Sequence, residues 1–138
     1  MMISTKGTYA LRVMIDLAQH TEEGYISLKS IAERQHVSMK YLETIVSLLN
    51  KGGMVTSLRG KDGGYMLKKP ASDYRIGEIL RLTEGGLTPV SCHGFSEGEM
   101  ECERVDRCLT FPMWQKLDAL INEYLDKVSL KDLLDGNV

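Results

Sequence analysis

Apolar residues recur at helical period through most of this chain, and the places where the period fails divide it into elements. Between residues 5 and 20, Tyr9, Ala10, Val13, Met14, Leu17 and Ala18 share one face, which predicts an opening helix with a core-facing side. Ser27 and Ser38 each stand where a hydroxyl can accept from the unpaired amides of a first turn, so they predict the starts of two more helices separated by a short turn at His36 and Val37. In the second of these, Leu42, Ile45, Val46 and Leu49 form one apolar stripe, and Lys40, Tyr41, Glu43, Thr44 and Ser47 lie opposite. Residues 54–58 and 65–68 then read as strands around Arg59-Gly60-Lys61-Asp62-Gly63-Gly64, and Tyr25-Ile26 as a short strand before the pair of helices. Ile76, Ile79 and Leu80 mark a bracing helix that stops by Gly85-Gly86.

From Leu87 to Arg107 the helical period disappears. It returns at Pro112, tolerated in a first turn, with Trp114, Leu117, Ile121, Tyr124 and Val128 at alternating spacings of three and four; Met113, Leu120 and Leu125 widen the stripe. A helix of about 17 residues here is a rod of about 25 Å. So wide an apolar face late in the chain asks for a partner, with packing on the chain's own domain as the other reading. Ser129 caps a brief final helix before Gly136.

Two helices joined by a tight turn form a helix-turn-helix, whose second helix offers its N-terminal residues to base edges in the major groove. That predicts Ser38, Lys40, Tyr41 and Glu43 at DNA. An ordinary helical hairpin would use the same residues as a solvated face. The hairpin that follows directly decides for a wing, with Arg59 at its base able to enter a groove or fork onto guanine and Lys61 at its tip. Its three glycines suit positive φ and close approach of backbone to phosphate. A nucleotide-phosphate loop is the competitor, but this segment lacks the Walker spacing and no helix follows it directly. The expected fold is mainly α with a small β-wing: residues 1–86 a winged helix-turn-helix domain, 87–110 a cysteine-containing sensor loop, and 111–138 a long C-terminal dimerisation helix with its tail.

The 138 residues are 43% hydrophobic, enough for a core, and the net charge of −2 hides an asymmetry. Residues 29–69 hold eight Lys and Arg against three acids, leaving that head at +5 and the remainder at −7. Affinity for phosphate is therefore expected to be local and salt-dependent. The chain opens without a leader pattern and has no apolar run of membrane-spanning length, which predicts a cytoplasmic protein without a membrane partner.

Cys92, Cys102 and Cys108 are spaced C-x9-C-x5-C in a loop with five acids, Glu97, Glu99, Glu101, Glu103 and Asp106. Three thiols in a reducing compartment are a poor disulfide framework. Acidic surroundings disfavour free thiolates, whereas a bound cation reverses that preference, so a ligand loop closed by a metal is expected. Thiolate-rich sites suit an iron-sulfur cluster or zinc; a thiol switch or purely structural cysteines are the other readings.

Residues 3–11 (Ile-Ser-Thr-Lys-Gly-Thr-Tyr-Ala-Leu), residues 38–43 (Ser-Met-Lys-Tyr-Leu-Glu), Arg59-Gly60 with Gly63-Gly64-Tyr65, and the late cysteines together resemble the IscR/CymR-type family of bacterial winged-helix transcription regulators. The resemblance spans almost the whole chain. It implies a homodimer on double-stranded DNA, reading a pseudo-palindromic operator, most commonly as a repressor. It also implies an iron-sulfur cluster, of two-iron or four-iron type, on Cys92, Cys102 and Cys108. Two departures stand out: the gap between the first two cysteines is longer than in the members best known for a cluster, and Phe111 occupies the place where some of them carry a histidine three residues after the last cysteine. His93, a loop carboxylate, a residue of the other subunit or an exogenous ligand are then candidates for the fourth position. A regulator of cysteine-metabolism type, sensing a metabolite or protein partner without a cluster, is the alternative within the family.

An enzyme is not expected, because His20, His36 and His93 belong to no nucleophile constellation. A small redox or electron-transfer protein would use the cysteines but leave the basic head and wing unexplained.

Overall fold

The computed structural model describes residues 3–90 and 104–138. Among the described residues six α-helices and one hairpin follow in order: α1 (Thr5–Gln19), α2 (Leu28–Gln35), α3 (Met39–Lys51), β1 (Val55–Leu58), β2 (Gly64–Leu67), α4 (Ile76–Glu84), α5 (Phe111–Lys127) and α6 (Leu130–Asp135). Serine starts four of the helices as a cap. Ser4 accepts from Gly7 N–H, Ser27 from Ser30, Ser38 from Tyr41 and Ser129 from Asp132. At Ser129 the Asp132 carboxylate also accepts the serine's own amide, 2.9 Å, completing a reciprocal box. Helix α2 stops at His36, which takes the left-handed conformation (φ 54°) and turns the chain sharply into α3.

The core is one cluster. Ala10, Val13, Met14 and Leu17 of α1 meet Ile31 of α2, Leu42, Ile45, Val46 and Leu49 of α3, and Ile76, Ile79 and Leu80 of α4. Strands β1 and β2 pair antiparallel, Val55 opposite Leu67 and Leu58 opposite Gly64, while Ile26 joins Tyr65 by a single isolated bridge in place of the short strand expected at Tyr25-Ile26. The glycines of the hairpin act differently from one another. Only Gly60 has positive φ (114°); Gly63 and Gly64 lie so close to the carbonyls of Leu58 and Ile26 that neither site has room for a Cβ.

Helix α5 has no buried residue in the single chain, and its two faces differ. Ile121 and Leu125 pack against the core, and Arg81 of α4 holds the helix by a bidentate pair with Asp126 (2.8 and 2.9 Å) and a bond to Asn122 (2.7 Å). Met113, Leu117, Leu120 and Tyr124 point outward, 37–56% exposed. The unpartnered stripe is thus rotated from the one the spacing alone picked out. Val128, counted with that stripe, differs outright: it is 8% exposed, it ends the helix, and its carbonyl accepts Ile76 N–H at 3.0 Å, so it belongs to the chain's own core.

Candidate nucleic-acid interface

The face of α3 opposite the core is where the sequence places DNA contacts, and it is open. Lys40, Glu43, Thr44 and Ser47 are exposed, whereas Leu42, Ile45, Val46 and Leu49 are buried. Ser38 spends a lone pair on Tyr41 N–H (3.3 Å), which leaves its hydroxyl proton free to donate outward. Tyr41 is only half open: its ring meets that of Tyr9 edge to face, centroids 5.6 Å apart, and Arg12 stacks on Tyr9 at 4.9 Å. The first turn of α3 is therefore braced against α1 by aromatic packing.

A trough of about 570 Å³ runs along this face, lined by Lys40, Glu43, Thr44, Ser47 and Lys51, with Lys6 of α1 on its far side. Three lysines against one glutamate give it the sign that duplex phosphates require. Lys6 and Lys51 were not among the contacts read from sequence. Lys51 was within reach of periodicity, eleven residues after Lys40 on the same side of α3, but Lys6 joins the trough only through tertiary packing. On the wing, Arg59 and Lys61 are exposed, and Lys61 also borders a polar cleft of about 310 Å³ with Tyr25, Ser27 and Arg34. Two apolar side chains stay exposed on this head, Met39 at 42% in the first turn of α3 and Leu58 at 49% beside Arg59.

A buried acid sets the head's orientation on α1. The Asp16 side chain is 1% exposed and accepts from Arg34 Nη2 (2.7 Å), Arg34 Nε (2.9 Å) and Gln35 Nε2 (2.9 Å). Burial pushes its pKa up, but the bonds from Arg34 and Gln35, with the charges of Arg34 and His20, more than offset this and hold the carboxyl below its ordinary value. Arg12 adds bonds to the side chain and carbonyl of Gln35.

Of the cysteines, Cys108 lies in the described residues, three positions before α5, partly exposed and with Sγ 3.2 Å from the Thr110 hydroxyl. The Thr110 hydroxyl and amide, then the Phe111 amide, hold its thiol below the ordinary value. The start of a helix thus favours the thiolate at this cysteine. Cys92, Cys102 and His93 lie outside the described residues. No group of three or more possible metal-binding His, Cys, Asp or Glu occurs among the described residues. No helix among them is long and apolar enough to cross a membrane.

The profile of the Rrf2 family, described as "Iron-dependent Transcriptional regulator", matches residues 3–136. The HTH-type transcriptional regulator IscR of Serratia proteamaculans (strain 568) is 38% identical over 136 residues, 99% of this chain and 80% of that protein. Among solved structures, T. potens IscR is 38% identical with a TM-score of 0.76, covering 100% of this chain and 89% of that one. CymR, the global cysteine regulator of B. subtilis, is 40% identical with a TM-score of 0.73, covering 96% and 95%.

Proposed function

Because the chain belongs to the Rrf2 family of transcriptional regulators, which are DNA-binding proteins and not enzymes, we propose that it is a cytoplasmic, homodimeric repressor whose operator affinity is modulated by an iron-sulfur cluster on Cys92, Cys102 and Cys108. The observation that carries the DNA part is the division of α3 into a buried apolar face and an open, lysine-lined one, followed at once by the hairpin. Ser38, Lys40 and Glu43 read base edges, Tyr41 aids from its braced position, Arg59 enters a groove, and Lys6, Lys51 and Lys61 neutralise phosphate. The outward stripe of Met113, Leu117, Leu120 and Tyr124, with Trp114 at its edge, pairs two copies, so that two α3 helices meet successive turns of a pseudo-palindromic operator.

The donor chemistry fits the cluster. Cys108 is held toward the thiolate, the form in which cysteine binds iron, and the family is described as iron-dependent. A bound cluster would supply a cross-link between the 92–102 segment and the residues that begin α5. The chain's own part is to present Cys108 next to α5 and to carry α5 on Arg81, Asn122 and Asp126, so that order at the cysteines biases how two heads are held.

A second reading, a regulator that senses a metabolite or partner protein without a cluster, draws support from the 40% identity to the global cysteine regulator of B. subtilis and from Phe111 in place of a histidine. Anaerobic purification with visible absorption spectroscopy separates the two. A sulfur-to-iron charge-transfer band, with iron and sulfide bound in stoichiometric amounts, is expected. A colourless protein that cannot be reconstituted, yet binds its operator, would establish the second reading.

A further inference from the structure

Tyr74 has no exposed surface, yet its hydroxyl closes the base of the wing from both sides. It donates to the carbonyl of Met54, the residue before β1, at 2.6 Å, and accepts from the amide of Lys68, the residue after β2, at 2.9 Å. The backbone around the ring is itself fixed. Leu130 N–H donates to the Tyr74 carbonyl and Ile76 N–H to the Val128 carbonyl, both at 3.0 Å, with Arg75 bridged to Ser129 between them. Lys69 lies over the ring at 4.8 Å.

A hairpin with four residues in each strand is marginal by itself. Here Tyr65 is held to Ile26 by two backbone bonds of 2.9 Å, and Tyr74 ties the two ends of the strands, so that without its hydroxyl the base can pivot about the Ile26 pairing. Four residues make a lever of about 13 Å, so a swing of about 15° at the base moves the tip by about 3 Å, more than a hydrogen bond tolerates. We propose that Tyr74 is a positioning residue for DNA readout: by tying Met54 and Lys68 to the segment paired with residues 128–130, it determines where Arg59 is delivered. This rests on the reading that Arg59 contacts DNA. The hydroxyl, not the ring, carries the role, so Tyr74→Phe removes it while keeping the packing.

The test is a pair of double-mutant cycles on the full chain, titrating a duplex that the protein has enriched from a random pool. Arg59→Ala should weaken binding about fivefold or more in the wild-type background and less than about twofold in Tyr74→Phe, whereas Lys40→Ala should cost the same in both. Amide hydrogen exchange of the DNA-free protein should quicken in Tyr74→Phe at Lys68 and along β1 and β2, with α3 unchanged. An equal loss from Arg59→Ala in both backgrounds, or unchanged exchange in the wing, overturns the positioning role alone. No loss from Arg59→Ala in the wild-type background overturns the wing contact, and the positioning role with it.

Discussion

Arg34 meets Asp16 with both ends of its guanidinium, Nη2 to Oδ1 at 2.7 Å and Nε to Oδ2 at 2.9 Å, and this pair sets the first helix of the DNA head on α1. The carboxylate is buried and the guanidinium about one-third exposed. Removing the cation leaves a buried charge with only Gln35 and His20 beside it, so Arg34→Ala should destabilise the fold by about 2–3 kcal/mol in urea titrations at neutral pH and fixed protein concentration.

The same pair predicts an acid-side loss of stability. Burial raises the Asp16 pKa, but the Arg34 and Gln35 bonds win, and the folded value lies below the unfolded value of 3.8. The stabilisation is complete above pH 3.8 and is lost as pH falls through the folded value. Wild type should therefore lose stability more steeply below pH 4 than Asp16→Asn, measured by thermal unfolding across that range.

Readout and charge should separate on the wing. Arg59→Ala should weaken specific binding by about 1–3 kcal/mol and leave random duplex much less affected. Lys61→Ala should weaken all sequences alike and reduce the slope of log affinity against log salt by about one. Equal losses on specific and random duplex for both variants would contradict this division.

Wing geometry gives a sharper contrast between glycines. Gly60→Ala meets open space and faces only an unfavourable φ, so about 1–2 kcal/mol of stability is expected to be lost. Gly64→Ala drives a Cβ into the Ile26 backbone, which must shift, and should cost more while impairing operator binding much as Arg59→Ala does.

Dimerisation should be probed on the outward face of α5. Leu120→Glu, at 56% exposed in the single chain, places like charges across a dyad and should raise the dimer dissociation constant about 100-fold or more, seen by sedimentation. Ile121→Glu is a poorer probe, because Ile121 also packs on the chain's own core and the change would damage folding. A dimer of unchanged stability in Leu120→Glu would remove this face from the interface.

The order of elements was legible because local signals were strong: Ser27 and Ser38 cap where a hydroxyl was expected to, and Leu42 to Leu49 kept a clean helical period. What sequence misjudged depends on tertiary packing. The α5 stripe is broad enough to fit two rotations, and only the Arg81–Asp126 tie and the burial of Val128 choose between them. Asp16 did leave a trace, an acid beside Val13 and Leu17 on an apolar face, which calls for a cation from elsewhere, but spacing could not name Arg34. Tyr74 left none, since its two partners lie 20 and 6 positions away in the chain.

The most direct test of an iron-sulfur-responsive repressor compares operator binding by anaerobically reconstituted wild type and by a variant with Cys92, Cys102 and Cys108 all replaced by Ala. A tenfold difference needs only about 1.4 kcal/mol of differential stabilisation between two arrangements of the heads. The account predicts at least that difference, together with an iron charge-transfer band in wild type alone and equal salt-dependent affinity of both proteins for random duplex. Identical operator affinity for the cluster-loaded wild type and the triple-alanine variant would contradict it.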